Sequence, residues 1–396
     1  MTEKEVYIVS AVRTPIGSFM GAFTDVPAHE LGSVAVKEAV ARAKISPEDV
    51  CEVIMGQALT AGQGQNPARN TLIKAGIPQS ATAHIISMLC GSGLKAVASA
   101  YQAIRSGDSN VVVCGGQESM TRAPHVSFLR AGVKMGDTQL KDSMILDGLT
   151  DVFHNIHMGV TAENLATKYD ISREDQDAYA CESQKRVQKA TEAGFFKAEI
   201  VPVSVKGPGR NAQLVSISQD EFPQKDVSIE ALTKLRAVFK KDGTVTAGNA
   251  SGINDGAAAL VLMSKEEALK RGSPVLAKII AYAQAGCDPA IMGIGPVPAV
   301  NALLKKAGWT KDEVDLWELN EAFAAQSLAV LKELKLNPSK VNIQGGAISL
   351  GHPIGASGAR VLVTLLHALK RTGGKKGVAA LCVGGGIGVS MAVECL

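Results

Sequence analysis

Long apolar runs and a strong charge of either sign are both missing from this chain. No apolar stretch reaches the roughly 18 residues that suggest a membrane-spanning helix. The 396 residues carry a formal net charge of only +3, which argues against the broad basic surface that binds nucleic acid nonspecifically. We therefore expect neither a membrane nor a nucleic acid as partner, although a local basic patch could still bind one anionic ligand.

Signals for disulfides, metal binding and targeting are missing as well. The seven cysteines are odd in number and include no C-x-x-C pair, and His157 has no Glu or Cys at metal-ligand spacing. Neither a disulfide framework nor a metal site is therefore expected. The N-terminus has neither the apolar core of a secretory signal nor an Arg-rich transit helix, and the final tripeptide is not Ser-Lys-Leu, so we expect a cytoplasmic protein.

The pattern that is present alternates strands and helices. Residues 6–12 and 53–56 predict strands, and residues 30–43 predict a helix between them. Ser46 followed by Pro47 predicts the start of a further helix. A composition of 46% hydrophobic and 20% charged residues allows a sizeable core. This order of elements is typical of α/β layers.

An internal repeat appears in the sequence. Residues 91–116 contain a small-Ser-Gly start, an amphipathic helix, a buried strand ending at Val113, and Gly-Gly; residues 356–386 repeat this order. Repeated units usually indicate a duplicated fold. The alternative is two unrelated βα units, which are common in α/β proteins.

The segment between the repeats is more polar. We expect an N-terminal half at residues 1–118, completed by residues 249–272, an inserted loop domain at residues 119–248, and a C-terminal half at residues 273–396.

Cys90 is the first candidate for chemistry. It stands at the entry to the first repeat helix, where the partial positive charge of a helix N-terminus favours a thiolate. The glycines after it leave backbone N–H groups free for a developing oxyanion. The alternative is a buried cysteine in a tight strand-to-helix turn.

His352 precedes the second repeat helix in a glycine-rich loop. A neutral imidazole there could take a proton from a thiol, although a loop histidine alone is more often a surface or hydrogen-bonded residue. If the repeat is real, Cys90 and His352 precede equivalent helices, and a two-fold-related fold could bring those helix starts together.

Two further candidates are Cys382 and Asn320. Cys382 follows a buried strand and precedes a glycine run, so it could act as an acid or base beside backbone N–H donors. That run does not fit a dinucleotide loop, because no helix follows it. Asn320 could orient a water or donate to an oxyanion; equally, it could cap the next helix, with Glu321 in the first turn.

Five stretches in this order resemble the thiolase family over almost the whole chain: residues 88–93, 249–257, 320–324, 345–358 and 382–388. The similarity is strongest to the short-chain, biosynthetic and cytosolic type. The resemblance implies two similar βαβαβαββ halves in a five-layer α/β/α/β/α body, with an inserted loop domain over the site.

The resemblance also implies an acyltransferase that condenses two acetyl-CoA molecules into acetoacetyl-CoA, reversibly and with ping-pong kinetics. Cys90 would carry the acetyl group as a thioester, and His352 would activate it. The N–H groups of Cys90 and Gly384 would form one oxyanion hole, and His352 with a water held by Asn320 the other. Cys382 would remove the methyl proton of the second acetyl-CoA. No cofactor is implied, because coenzyme A thioesters are the substrates.

The matched positions also imply contacts with coenzyme A. These are Leu149, His157, Met158, Ala250, Ser251, Gly252, Ala322 and Phe323. Met292 would narrow the acyl pocket. Where relatives often carry Arg-His after Glu-Phe-Pro, this chain has Gln224 and Lys225, so Lys225 would replace only the charge of the arginine. Residues 133–137 resemble the family's tetramerisation loop, which implies a homotetramer.

Two other interpretations remain open at this point. One is a degradative 3-ketoacyl-CoA thiolase of broader chain length, and the other is a non-catalytic acyl-CoA-binding protein on the same fold. A nicotinamide-dependent oxidoreductase is disfavoured, because the phosphate-binding fingerprint is missing.

Overall fold

The computed structural model describes residues 4–207 and 213–396. The elements up to residue 119 are β1 (Val6–Arg13), β2 (Gly17–Ser18), α1 (Ala28–Arg42), β3 (Glu52–Gly56), α2 (Pro67–Lys74), β4 (Thr82–Ile86), α3 (Ser92–Ser106) and β5 (Val111–Ser119).

A middle segment of short strands and helices follows. It contains β6 (His125–Val126), β7 (Lys141–Asp142), β8 (Thr150–Asp151), β9 (Ile156–His157), α4 (Met158–Tyr169), α5 (Arg173–Glu192), β10 (Val203–Lys206), β11 (Leu214–Ile217) and α6 (Ile229–Leu232). The chain then forms β12 (Asn254–Ser264) and α7 (Lys265–Arg271).

The remaining elements form the second half of the fold. They are β13 (Ala277–Gly286), α8 (Pro296–Ala307), β14 (Leu316–Leu319), α9 (Ala324–Leu334), α10 (Ala347–Leu350), α11 (Ile354–Thr372), β15 (Lys376–Val383) and β16 (Ile387–Cys395).

The strand order confirms the duplication. Among the described residues the main sheet runs β4-β3-β5-β12-β1-β13-β16-β15-β14. On each side of the β1–β13 junction the inner strands are antiparallel, while β3–β5 and β14–β15 are parallel pairs. The second half therefore repeats the first in reverse spatial order. Only an isolated bridge between Trp317 and Val341 stands where β4 would have its counterpart.

Alternation along the strands generates the layers. In β1, Val6 and Ile8 pack with α3 and α11, whereas Tyr7 and Val9 pack with α1 and α2. In β15, Leu381 joins the same central cluster and Cys382 packs on the opposite side, with α8 and α9. Because successive side chains point to opposite faces, each half of the main sheet forms one layer. The order is α1 with α2, the β4-to-β1 half of the sheet, α3 with α11, the β13-to-β14 half of the sheet, and α8 with α9. This confirms the five-layer α/β/α/β/α fold.

The central helices α3 and α11 meet through glycines near their N-termini. A Cβ on Gly93 would lie 2.7 Å from the Ala359 nitrogen, and one on Gly358 would lie 2.3 Å from the Leu94 nitrogen. Only residues without a side chain permit this approach. The two helix starts are thereby held side by side.

One local prediction is confirmed only as a single turn, and another is wrong. Ser46 caps a single 3₁₀ turn, Pro47–Asp49, because the chain enters β3 three residues later. Strand β5 does not end before its Gly-Gly pair but continues to Ser119. Gly115 and Gly116 lie inside this strand. Only glycine fits at these two positions, because a Cβ would meet Ala258 O at 2.0 Å and Gly355 O at 2.2 Å.

The middle segment is tied to the sheet by a buried ion-pair cluster. Arg13 of β1 donates to Glu199 at 2.6 Å and to Asp220 at 2.6 Å, and the three side chains are almost fully buried. Removing one partner of such a cluster leaves an uncompensated buried charge.

Within the described residues no helix is long and apolar enough to cross a membrane.

Replacing Gly358 by alanine tests the α3–α11 contact. Alanine improves helix propensity by up to about 1 kcal/mol, but the methyl group must displace the main chain of Leu94. We therefore expect the free energy of unfolding to fall by roughly 1–3 kcal/mol, measured by urea denaturation. Gly286→Ala is the control, because a Cβ there meets only Gly386 O, at 3.9 Å. Equal stability of the two variants would contradict the tight contact.

Candidate active site

A mostly apolar cavity of about 580 Å³ lies where the middle segment covers the two halves. Most of the residues that the sequence singled out line it together: Cys90, Leu149, His157, Met158, Ala250, Ser251, Gly252, Met292, Ala322, Phe323, His352 and Gly384. Residues that lie as far apart along the chain as Cys90 and Gly384 therefore line one cavity.

A strained turn presents Cys90 to this cavity. Leu89, directly before it, has φ +45°, a left-handed conformation that is uncommon for a bulky residue and often marks a functional site. The Ser92 hydroxyl holds the turn, because its oxygen accepts the Met88 N–H at 2.8 Å while it donates to Leu89 O at 2.7 Å. A Cβ on Gly384 would lie 2.6 Å from Leu89 Cδ1, so this glycine packs directly against the turn.

His352 faces Cys90 across the cavity wall. Its Nε2 lies 3.2 Å from Cys90 Sγ, and its Nδ1 lies 2.6 Å from Ser357 Oγ. Ser357 Oγ is also 3.0 Å from Pro353 O. Both contacts of the serine are satisfied if it donates to this carbonyl and accepts from Nδ1–H. The network thus assigns the proton to Nδ1 and leaves Nε2 free to accept the thiol proton.

The resting pair is neutral. Burial raises the pKa of the Cys90 thiol to about 12, and the Glu118 carboxylate adds to the rise. Burial, with the charge of Arg360, lowers the pKa of His352 to about 3. The predicted thiolate at the helix N-terminus is therefore wrong for the ligand-free chain, because loss of hydration outweighs the helix dipole.

Cys382 is the second thiol at the site. It is fully buried near the end of β15. Its pKa is raised well above the usual range, first by burial and then by the charges of Cys90 and Cys287. Cys382 does not itself line the cavity, but it belongs to the same buried cluster as Met158, Ala322 and Phe323, which do.

Asn320 lies beside the imidazole rather than capping a helix. Its Nδ2 is 3.4 Å from His352 Nε2, and its Oδ1 is buried with no partner. The capping alternative is wrong, because α9 begins at Ala324 and Phe323 holds the N-cap position. Glu321 is not in a first helical turn either; its carboxylate accepts from Ser183 Oγ at 2.7 Å and Asn342 Nδ2 at 3.0 Å.

Aromatic side chains form the cavity wall. The rings of His157 and Phe239 stack with centroids 4.7 Å apart, and Phe239 meets Phe323 edge-on at 6.3 Å. Phe239 and Phe222, which also lines the cavity, were missed from the sequence. Phe222 belongs to the Glu-Phe-Pro motif but was not assigned to the cavity. The local sequence of Phe239 carries no signal, since only the folding of the middle segment brings it here.

Lys225 is the predicted contact that the structure does not bring to this cavity. It lines a separate cavity of about 650 Å³ together with residues such as Gln188, Lys197 and Asp220. In residues 4–207 and 213–396, no group of three or more His, Cys, Asp or Glu side chains is arranged to hold a metal ion.

These groups suit one kind of chemistry. A thiol with an imidazole acceptor at 3.2 Å, a second thiol and nearby backbone N–H donors can form and resolve an acyl-thioester. The fold and the site together define an acyl-transferring enzyme.

Comparison with known proteins identifies the family. Residues 6–266 match the thiolase N-terminal domain and residues 273–395 the thiolase C-terminal domain. The chain belongs to the thiolase family.

The relatives and solved structures span nearly the full length. The chain is 56% identical over 391 residues to "Acetyl-CoA acetyltransferase, cytosolic" of Mus musculus, covering 98% of each chain. It is 57% identical over 391 residues to the acetyl-CoA acetyltransferase of Chromobacterium violaceum, covering 98% of this chain and 99% of the relative. The Bacillus anthracis acetyl-CoA acetyltransferase structure has a TM-score of 0.97 at 46% identity, covering 100% and 99% of the two chains. Human mitochondrial 3-ketoacyl-CoA thiolase has a TM-score of 0.95 at 44% identity, covering 99% of each.

The protonation state of Cys90 can be measured by alkylation. With a pKa raised to about 12, the thiolate fraction of the ligand-free enzyme should rise roughly tenfold per pH unit from pH 7 to 10. The rate of Cys90 carbamidomethylation by iodoacetamide, followed by peptide mass spectrometry, should rise in parallel. Cys51, which is exposed, is the internal control. A plateau for Cys90 below pH 8 would indicate a thiolate–imidazolium pair and contradict the neutral state.

Proposed function

We propose that this thiolase is an acetyl-CoA C-acetyltransferase, which condenses two acetyl-CoA molecules reversibly into acetoacetyl-CoA and CoA. The observation that carries the proposal is the 3.2 Å contact between His352 Nε2 and Cys90 Sγ at a mostly apolar cavity. The names of full-length relatives at more than 50% identity support the same activity.

In the first half-reaction Cys90 Sγ attacks the thioester carbonyl while His352 Nε2 takes its proton. Because both groups are neutral at rest, proton transfer accompanies attack rather than preceding it. The N–H groups of Cys90 and Gly384 stabilise the oxyanion, where one lost donor costs about 2.7–4 kcal/mol. The CoA thiolate leaves and takes the proton of Cys382, which produces acetyl-Cys90 and a Cys382 thiolate.

In the second half-reaction the Cys382 thiolate removes a methyl proton from the next acetyl-CoA. Imidazolium His352 and a water held by Asn320 stabilise the enolate oxygen; the partnerless Asn320 Oδ1 supports a water there. The enolate carbon attacks the acetyl carbonyl, and the Cys90 sulfur leaves and takes its proton back from His352. All protons then return to their starting positions, as ping-pong turnover requires.

We also propose the binding contacts of coenzyme A, with no further cofactor. The cavity-lining residues Leu149, His157, Met158, Ala250, Ser251, Gly252, Met292, Ala322 and Phe323 surround the substrate. Met292 and Phe323 are almost fully buried and limit the space beside the acyl group. Lys225 is exposed and does not line this cavity, although Phe222, three residues before it, does. Its positive charge would attract the nucleotide end of coenzyme A without a stacking contact.

A homotetramer and a cytoplasmic location are further proposals. Apolar side chains at residues 128–140 lie in solvent, and Met135 is 93% exposed. Exposed apolar side chains gathered in one segment are typical of an interaction surface. The cytosolic relative from Mus musculus supports the location. Neither nucleic acid nor membrane is part of the proposed activity.

The division of the chain follows the same pattern. We propose residues 119–248 as a loop domain inserted into the half formed by 1–118 and 249–272, with 273–396 as the second half. The pairing of β12 with both β1 and β5 supports this division, because the chain returns to the same sheet.

Trapping the acyl-enzyme tests the function. Incubation with acetyl-CoA should add one acetyl group to the Cys90 peptide, as seen by mass spectrometry. The adduct should accumulate more in Cys382→Ala, because the second step lacks its base. Cys90→Ala is the control and should show no adduct at this peptide, because it has no nucleophile there. Absence of acetylation in the wild type would favour a non-catalytic acyl-CoA-binding protein.

Chain length is tested by cleavage in the reverse direction. We expect a higher kcat/KM for acetoacetyl-CoA than for a long-chain 3-ketoacyl-CoA, because Met292 and Phe323 fill the acyl end. Met292→Ala should reduce the ratio of the two kcat/KM values, because one missing methylene-sized contact in an apolar pocket changes the discrimination by about 1–3 kcal/mol. A wild-type preference for the long chain would instead indicate a degradative 3-ketoacyl-CoA thiolase.

A further inference from the structure

The turn that carries His352 is held by two buried side chains from the other half of the fold. Asn254 Oδ1 accepts the His352 N–H at 2.9 Å, and Glu118 Oε2 accepts the Gly355 N–H at 2.9 Å. Glu118 and Asn254 are both fully buried and lie on the neighbouring strands β5 and β12. Together these two hydrogen bonds fix both ends of the 352–355 turn.

Each of the two side chains is itself fixed at a second point. Glu118 also accepts the N–H of Ala58 at 2.9 Å and of Leu59 at 3.3 Å. Asn254 Nδ2 donates to Gly17 O at 2.9 Å. The imidazole is therefore positioned by the N-terminal half, which also carries Cys90.

Above its pKa, the ionised Glu118 carboxylate suits the three N–H donors around it best, because both of its oxygens accept and neither donates. A glutamine of the same shape would point an NH₂ group at one of those donors. Burial and the charge of Asp255 raise the pKa of Glu118 to about 8. This raised pKa shows that burial of the acid is unfavourable, so its place here indicates that both carboxyl oxygens are needed as hydrogen-bond acceptors.

We infer that Glu118 and Asn254 are positioning residues for the condensation, which hold the 352–355 turn so that His352 Nε2 faces Cys90 Sγ. This rests on the proposed function, because it assigns them to the proton transfer between these two groups. Glu118 also acts electrostatically, since its charge contributes to the raised pKa of Cys90. Neither residue lines the cavity, so neither should affect substrate binding directly.

Kinetics of Glu118→Gln provide the test. We expect kcat for condensation to fall on the order of 100-fold, the effect of misplacing a catalytic group by about 1 Å. KM for acetyl-CoA should stay within about twofold, because binding contacts are unchanged. At pH 9, where wild-type Glu118 is ionised because its pKa is about 8, Cys90 of the variant should react faster with iodoacetamide than Cys90 of the wild type, because a negative charge near the sulfur is gone. General structural damage would also expose the buried Cys114, so the alkylation rate of Cys114 should stay at its wild-type value.

Two variants separate position from charge. Glu118→Asp keeps the charge but shortens the side chain, so kcat should fall while the alkylation profile stays close to that of the wild type. Asp315→Asn is the matched control: this carboxylate also accepts two backbone N–H groups, from Lys375 and Lys376 at 2.8 and 2.9 Å, but at the opposite end of β15 from Cys382. It should lower thermal stability and leave kcat unchanged.

The inference is overturned if folded Glu118→Gln retains kcat within about twofold of the wild type. It is also overturned if kcat and KM worsen together with an unchanged alkylation profile, which indicates a deformed cavity. Failure of the proposed function is distinguishable, because the wild type would then show no acetylation of Cys90. The alkylation comparison would still report on the coupling of Glu118 to Cys90.

Discussion

The close approach of α3 and α11 is the constraint on which the rest of the structure depends. Gly93 and Gly358 leave no room for a side chain between the two helices, so the helix starts lie side by side at the centre of the five layers. Cys90 precedes one helix and His352 the other. A duplicated fold thereby places a thiol and an imidazole in contact, although they are 262 residues apart along the chain. Corresponding serines then serve each copy: Ser92 holds the Cys90 turn, and Ser357 orients the imidazole.

Burial decides how these groups can react. The same packing that brings Cys90 and His352 together removes water from them, and this favours their uncharged forms over the helix-dipole effect. The Cys90 thiol and the His352 imidazole are therefore both uncharged before substrate binds. Charge develops on them only when the sulfur attacks a thioester carbonyl. Backbone N–H groups are held in place by the fold and shielded from water. They can therefore stabilise the developing charge without reorganisation. The middle segment supports this arrangement by covering the cavity, and the buried Arg13 cluster attaches that segment to the sheet.

The sequence predicted features that depend on periodicity and order. The order of strands and helices predicted α/β layers, and the repeat favoured a duplicated fold. The resemblance supplied the five-layer arrangement and most of the residues that line the cavity. Features set by tertiary contact were not predictable. Strand β5 passes through Gly115 and Gly116 because the neighbouring backbones exclude a side chain. Phe239 lies at the cavity only because the middle segment folds back over it. The charge state of Cys90 depends on its burial, which no local sequence motif reveals.

The central claim is that both halves build one acyl-transfer site around Cys90, His352 and Cys382. A crystal structure of the enzyme frozen after brief exposure to acetyl-CoA tests it most directly. The account predicts continuous density from Cys90 Sγ to an acetyl group, with the carbonyl oxygen in hydrogen-bond range of the Cys90 and Gly384 nitrogens, about 2.7–3.2 Å. The methyl of a second acetyl-CoA should lie against Cys382 Sγ. An acetyl group on another residue, or a Cys382 sulfur turned away from the bound methyl, would contradict it.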